Sequence, residues 1–345
     1  MITNFSNFIC EKIDSNTNIV WFEKSNKYII INDLLKSLIL NKIDSNKYPI
    51  NQFSSEINKL EPNNLRTIFN DIDSLLKECN IESKEKIQKE LSIKDEKFPH
   101  YSRFKFNNRV VKIEYSNKDL SNLIDPKFMH IKSEDNEQIV FKVQEKNKRI
   151  YLFKHDKFFG SWGVSEMHEF QGKISMELTS FFHNMQESEW TAVFHGSTLS
   201  HMNNCIMLTG ESGNGKSSLS TILMANNFSL IADDFSPMSN DGLHYNFPSA
   251  ISIKEGFYSS AKNLFKSFDE LKEYYINDIK GNVKYLPANN NELILHKRCN
   301  KVLNVKFGLN LKNEIKTVNK GKALEQILPD AWISKDLDHA KSFID

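Results

Sequence analysis

From Gly210 to Ser217 the chain reads Gly-Glu-Ser-Gly-Asn-Gly-Lys-Ser, which fills every fixed position of the phosphate-binding pattern G-x-x-x-x-G-K-[ST]. The chemistry open to such a stretch is capture of a nucleoside triphosphate. Gly210, Gly213 and Gly215 allow successive backbone N–H groups to turn inward onto phosphate oxygens. Lys216 can reach the β and γ phosphates, and Ser217 offers a hydroxyl to Mg²⁺. Glu211, Ser212, Asn214 and Ser218 complete the stretch expected to contact the nucleotide. Sixteen positions beyond Ser217 (233 minus 217), an apolar run from Phe228 to Ala232 ends in Asp233-Asp234. Acids in that place can bind Mg²⁺ or accept the proton of an attacking hydroxyl. Alternation along a strand predicts that the two face opposite sides and cannot easily share one role. His195-Gly196 precedes the loop by fifteen positions (210 minus 195).

These side chains need a strand to deliver the loop and a helix to receive it. Cys205-Ile206-Met207-Leu208 is wholly apolar, as in a buried parallel strand, and runs directly into Gly210. Beyond Lys216, the residues Leu219, Ile222, Leu223 and Asn226 recur at helical spacing, which places the positive end of a helix dipole under the phosphates. Only 12 glycines occur in the chain, so three within one eight-residue window argue against coincidence.

The length, 345 residues, suits two or three domains. With 45 basic and 44 acidic residues the net charge is +1, so no global field favours nucleic acid or an anionic membrane as partner. Cys10, Cys79, Cys205 and Cys299 are widely spaced without a Cys-x-x-Cys pair, arguing against a disulfide framework or a zinc site. No signal peptide or long apolar run is visible, so the expected compartment is the cytoplasm, where ATP and Mg²⁺ are at hand. The oligomeric state, including a homo-oligomer, stays open.

Three segments follow along the chain. Residues 1–95 open with a hairpin signal, Ile19–Phe22 and Tyr28–Ile31, followed by amphipathic helices. One of these is capped by Asn32 or Asp33 and carries Leu34, Leu35, Leu38 and Ile39. Another has Leu65, Ile68, Phe69, Ile72, Leu75, Leu76 and Cys79 on one face. The Lys- and Glu-rich stretch 82–97 reads as a solvated helix or linker and marks a boundary. Residues 98–189 carry strand signals and a helix through Met167, Phe170, Ile174 and Leu178. Their order predicts that they join the sheet of the phosphate loop as the first part of a domain spanning 98–345, with 190–330 as its core. The expected fold is α/β, with a small winged-helix-like α+β module in front.

His195-Gly196, the glycine loop and Leu-Ile-Ala-Asp-Asp together resemble the catalytic core of HPr serine kinase/phosphorylase and its kinase-like relatives, a fold distantly shared with phosphoenolpyruvate carboxykinase. The resemblance covers about residues 190–330. It implies that ATP and Mg²⁺ are bound, that Lys216 and Ser217 hold phosphates and metal, and that Asp233 and Asp234 supply a general base and a metal contact close to His195. Phe247-Pro248 through Gly256 resembles a further segment of these relatives, with Lys254 and Glu255 as phosphate and metal contacts. The implied metal set is thus Ser217, Asp234 and Glu255, and the implied catalytic set is Asp233, Asp234, His195 and Lys216. Lys284, Tyr285 and Arg298 are weaker candidates for nucleotide or acceptor contacts. The glycine-rich signature that bifunctional members carry after the acidic pair is missing, so neither the phosphorylase reaction nor HPr as substrate is implied.

The first segment resembles PqqD-like modules, which bind leader peptides of ribosomally made, modified peptides by accepting an added strand. Together the two resemblances imply a kinase for a hydroxyl, serine foremost, of a precursor peptide. A kinase for a small molecule such as free serine, and a non-catalytic nucleotide-binding peptide adaptor, are the alternatives from the same residues.

Overall fold

A computed structural model describes residues 7–45, 47–48, 62–82, 96–277, 280–288, 293–308 and 310–344. It is a mixed α/β protein with several sheets, in two compact units. One comprises residues 1–85 with 313–345, and the other residues 86–312.

The first unit is built on an antiparallel sheet in the order β1 (Phe8–Asp14), β2 (Thr17–Phe22), β3 (Lys27–Ile31). The expected hairpin is β2–β3, with Trp21 opposite Tyr28. Its turn is tied by Asn26, which sits at φ 52° and accepts the Trp21 indole N–H at 2.8 Å. The run Ile-Val-Trp-Phe is apolar at every position because β2 is covered on both faces. Val20 and Phe22 pack with helices α1 (Asp33–Ser45) and α2 (Pro62–Cys79), through Leu38, Ile39, Ile72, Leu76 and Cys79. Ile19 and Trp21 pack on the opposite side with Ala340 and Ile344, from the helix Leu337–Ile344. Asn32 caps α1 by accepting the Leu35 N–H at 2.8 Å. The Gly321 N–H donates to Asp14 Oδ2 at 2.8 Å. A Cβ there would stand 2.8 Å from Thr17 Cγ2, so only glycine lets the backbone come this close.

Two features of this unit differ from the sequence reading. The chain returns to it at residue 313, whereas the reading kept everything from 98 to 345 in one domain. The sheet also has a third strand, β1, whose Cys-Glu-Lys centre hid it. Much of the expected boundary stretch 82–97 lies outside the described residues.

In the second unit, β4 (His100–Phe106), β5 (Arg109–Tyr115), β6 (Ile139–Lys146), β7 (Arg149–Lys154) and β8 (Lys157–Gly163) form a sheet in sequence order. All its pairs are antiparallel except β5 with β6. Helix α3 (Met167–His183) covers it through Phe170, Ile174, Leu178 and Phe182. This sheet is distinct from the one that carries the glycine loop, contrary to the expectation of a single continuous sheet. Short hairpins join every pair of these strands but β5 and β6, while Ala232 and Phe247 join their core from the loop's side.

The strand β9 (Trp190–Phe194) pairs with β13 (Ser236–Ser239), which continues to β14 (Leu243–Tyr245) and β18 (His296–Arg298). Strands β10 (Ser197–His201), β11 (Asn204–Thr209), β12 (Ser229–Ala232) and β19 (Lys301–Asn304) form another sheet in the order β12-β10-β11-β19. The loop strand β11 is parallel to β19 and antiparallel to β10, so its parallel character holds on one side only. A third group is β15 (Ile251–Lys254), β17 (Gly281–Leu286) and β16 (Glu273–Asn277).

Candidate functional site

Strand β11 delivers the chain to Gly210, and helix α4 (Lys216–Ala225) receives it. Gly210 sits at φ +133°, and a Cβ there would stand 2.5 Å from the Val305 carbonyl oxygen. The backbone passes so close because the Val305 N–H donates to the Thr209 carbonyl at 2.8 Å, zipping the end of β11 to the chain beyond β19. Gly215, at φ +84°, is the residue before the helix and turns the chain into it. The helix buries Ser220, Thr221 and Met224, with Leu219 and Leu223 packed against the core. Ile222, expected inside, is 40% exposed, and Asn226 lies just past the helix end.

The buried Lys216 folds over the loop, its ammonium donating to the Gly210 carbonyl at 2.5 Å and the Glu211 carbonyl at 3.3 Å. A positive charge is thus held above the backbone N–H groups at the helix N-terminus, an arrangement that suits phosphate. Ser217 Oγ lies 3.5 Å from Asp233 Oδ2, while Ser197 Oγ donates to Asp233 Oδ1 at 2.5 Å. Asp233 is 2% exposed. Burial, and then the negative charge of Asp234, push its pKa up to about 7, against the pull of Ser197, Lys127 and Lys216.

Asp234 stands at φ +61°, just past β12, so strand alternation no longer governs where the two acids point. Its side chain lines the pocket over the loop, while its backbone carbonyl accepts from His195 Nδ1 at 3.2 Å. His195 is exposed in the β9–β10 connection and lines the same pocket. That pocket has a volume of about 150 Å³, and its wall includes Lys216, Ser217, Asp234, Lys254 and Lys280.

The structure therefore brings together the glycine loop, both aspartates, His195 and Lys254. Ser212 and Ser218 line the pocket with Gly213 and Gly215, whereas Glu211 and Asn214 do not. Glu255 also stands outside the wall, accepting from Asn282 Nδ2 at 2.6 Å. Lys284 donates to the carbonyls of Phe268 and Asp269 at 3.4 and 3.3 Å, and Arg298 to that of Asp241 at 2.5 Å. Tyr285 is near enough to Asp234 to feel its charge; burial first, then that charge, push its hydroxyl up to about 12.

Three residues of the site escaped the sequence reading. Ser197 follows His195 by two positions and could have been found as a polar residue on a buried strand. Lys127 and Lys280 carry no local signal; the fold alone brings them to the acids.

Among the described residues no group of three or more His, Cys, Asp or Glu side chains could hold a metal. Mg²⁺ bound with a nucleotide does not require one, since phosphates and water complete its octahedron. Ser217 beside the buried Asp233, with the half-buried Asp234 next to it, fits such an ion: the like charges of the two acids are what a divalent cation would relieve. Among the described residues no helix is long and apolar enough to cross a membrane. Neither family models nor curated proteins yield a match to the chain.

Proposed function

We propose that the protein is an ATP- and Mg²⁺-dependent kinase of the HPr-serine-kinase type. It transfers the γ-phosphoryl group to a hydroxyl, serine foremost, of a ribosomally made precursor peptide. One observation carries the reading: residues of the glycine loop, Lys216 and Asp234 line one pocket, with the Ser217 hydroxyl reaching from that wall to the buried Asp233. The fold serves this chemistry by positioning and charge neutralisation, the main sources of rate in phosphoryl transfer.

The geometry supports the following roles within this reading. Loop N–H groups and Lys216 hold the phosphates. Ser217 and Asp233 are the side chains placed to hold Mg²⁺, which when bound neutralises phosphate charge. Asp234 faces the pocket and takes the acceptor's proton, its backbone fixed by His195. This assigns the metal to Asp233 and the base to Asp234, and leaves Glu255 as a partner of Asn282.

The first unit would bring the peptide. A three-stranded sheet whose outer strands β1 and β3 each have one strand neighbour within it can accept an added strand. The test is transfer from γ-labelled ATP by the full chain: Lys216→Ala should abolish it, and retained Mg²⁺-dependent transfer would sink the assignment.

A further inference from the structure

The chain leaves β19 at Asn304 and runs alongside the glycine loop. The Val305 N–H donates to the Thr209 carbonyl at 2.8 Å, and a Cβ at Gly210 would stand 2.5 Å from the Val305 carbonyl oxygen. Two residues further on, Phe307 meets the other end of the loop. A Cβ at Gly215 would lie 3.5 Å from Phe307 Cβ and 3.9 Å from Phe307 Cγ, at ordinary van der Waals contact. Gly215 itself lines the pocket over the loop, so Phe307 is rooted against that pocket's wall. The residue is nevertheless 69% exposed. Apolar side chains scattered singly over a surface are ordinary. An open aromatic ring rooted on a phosphate loop is placed to meet what the phosphates carry.

The strand order decides which end of a bound nucleotide lies on this side. In β12-β10-β11-β19 the acids follow β12, so they flank the loop strand on one side, and the segment 305–308 flanks it on the other. Ser217 turns to the acid side, 3.5 Å from Asp233. With Mg²⁺ and the γ-phosphoryl group held there, the phosphate chain crosses the helix N-terminus and the nucleoside leaves towards the β19 flank. Phe257 also lines the pocket, but it packs against the core that holds Ile253 and Phe268, which commits its ring.

Resting on the kinase reading, we propose that Phe307 is the base-stacking residue of the nucleotide site, its ring lying on the face of the nucleobase while the glycine loop holds the phosphates. Stacking removes the apolar face of the exposed ring and the face of the base from water together. Because every base has a π face, the contact selects a nucleotide over bare polyphosphate and tolerates different bases. The hydrogen bond from Val305 to Thr209 closes the loop strand on this segment, and it thereby sets the spacing between the ring and the phosphate cradle.

The experiment separates base from phosphate and needs no knowledge of the acceptor. The full-length protein in Mg²⁺ is titrated by calorimetry with ADP and, separately, with inorganic pyrophosphate. Phe307→Ala should bind ADP at least about fivefold more weakly than wild type, the loss of one base–aromatic stack, with pyrophosphate affinity kept within about twofold. Phe307→Tyr keeps a ring and should stay within about twofold of wild type for ADP. Phe307→Leu keeps apolar bulk without the ring and should repeat the loss, also should the Ala variant fail to fold. Unchanged ADP affinity in the Ala or Leu variant, or an equal loss for ADP and pyrophosphate, overturns the assignment. Wild type that binds neither ligand removes the nucleotide reading itself and Phe307's role with it, an outcome distinct from the others.

Discussion

Ser217 Oγ stands 3.5 Å from Asp233 Oδ2, joining the first turn of the helix after the glycine loop to the end of the neighbouring strand. The pairing sets a hydroxyl of the pocket wall against a carboxylate buried behind it. Ser217→Ala should leave ADP binding without metal within about twofold of wild type and weaken Mg²⁺-supported ADP binding about tenfold or more, because one ligand of the octahedron is lost. Calorimetric titrations with Mg²⁺ and with chelator check this. An equal loss in both would show that the hydroxyl touches phosphate instead.

Gly210→Ala should destabilise the fold. The added Cβ would stand 2.5 Å from the Val305 carbonyl, on a backbone at φ +133° that L side chains rarely adopt. Strain of this kind costs about 1–3 kcal/mol before any clash is relieved. Thermal unfolding should show a lowered midpoint, and an unchanged midpoint would contradict the close approach of the Val305 segment.

Trp21→Ala should be among the costliest changes in the first unit. The side chain is 0% exposed, packs with Ile19, Ala340 and Ile344, and donates to Asn26. Truncation of such a residue costs about 3–5 kcal/mol. Urea unfolding monitored through this unit should show the loss, whereas a change below about 1 kcal/mol would mean that the C-terminal helix does not cover this face of the sheet.

His244 sets a pH dependence. It is buried against Ser236, at 3.0 Å, and burial pushes its pKa down to about 4. The unfolded chain, with a histidine near about 6.5, then binds the proton more tightly than the folded chain. Stability from this residue is present above about pH 6.5, falls as the pH drops towards 4, and levels off below. Asp233, held up at about 7, acts in the opposite sense over this range, so the check is the difference between variants: going from pH 7 to pH 5, the urea midpoint of wild type should change less favourably than that of His244→Asn, and an identical change in both would contradict the assignment.

The parts of the site legible in the sequence were those encoded locally. The glycine loop carries its own geometry in residue type, and Asn32 caps α1 through a contact three residues away. The apolar stripe from Leu65 to Cys79 marks the inner face of α2 because helical periodicity exposes it. What escaped was long-range. No pattern announces that Lys127 lies near enough to Asp233 to feel its charge, or that residues from 313 onward return to the first unit. Asp234 escaped for another reason. One residue at positive φ cancels the alternation rule at the point where it was applied, and this is visible only in the backbone.

The central claim is that this pocket transfers a phosphoryl group to a peptide hydroxyl. The most direct measurement is mass spectrometry of the precursor peptides encoded beside the gene, after incubation with the full-length protein, Mg²⁺ and ATP. The account predicts a gain of about 80 daltons on a serine-bearing peptide with wild type and none with Lys216→Ala or Asp234→Asn. A gain that survives Lys216→Ala, or ATP bound by wild type with no peptide gaining mass, would contradict it.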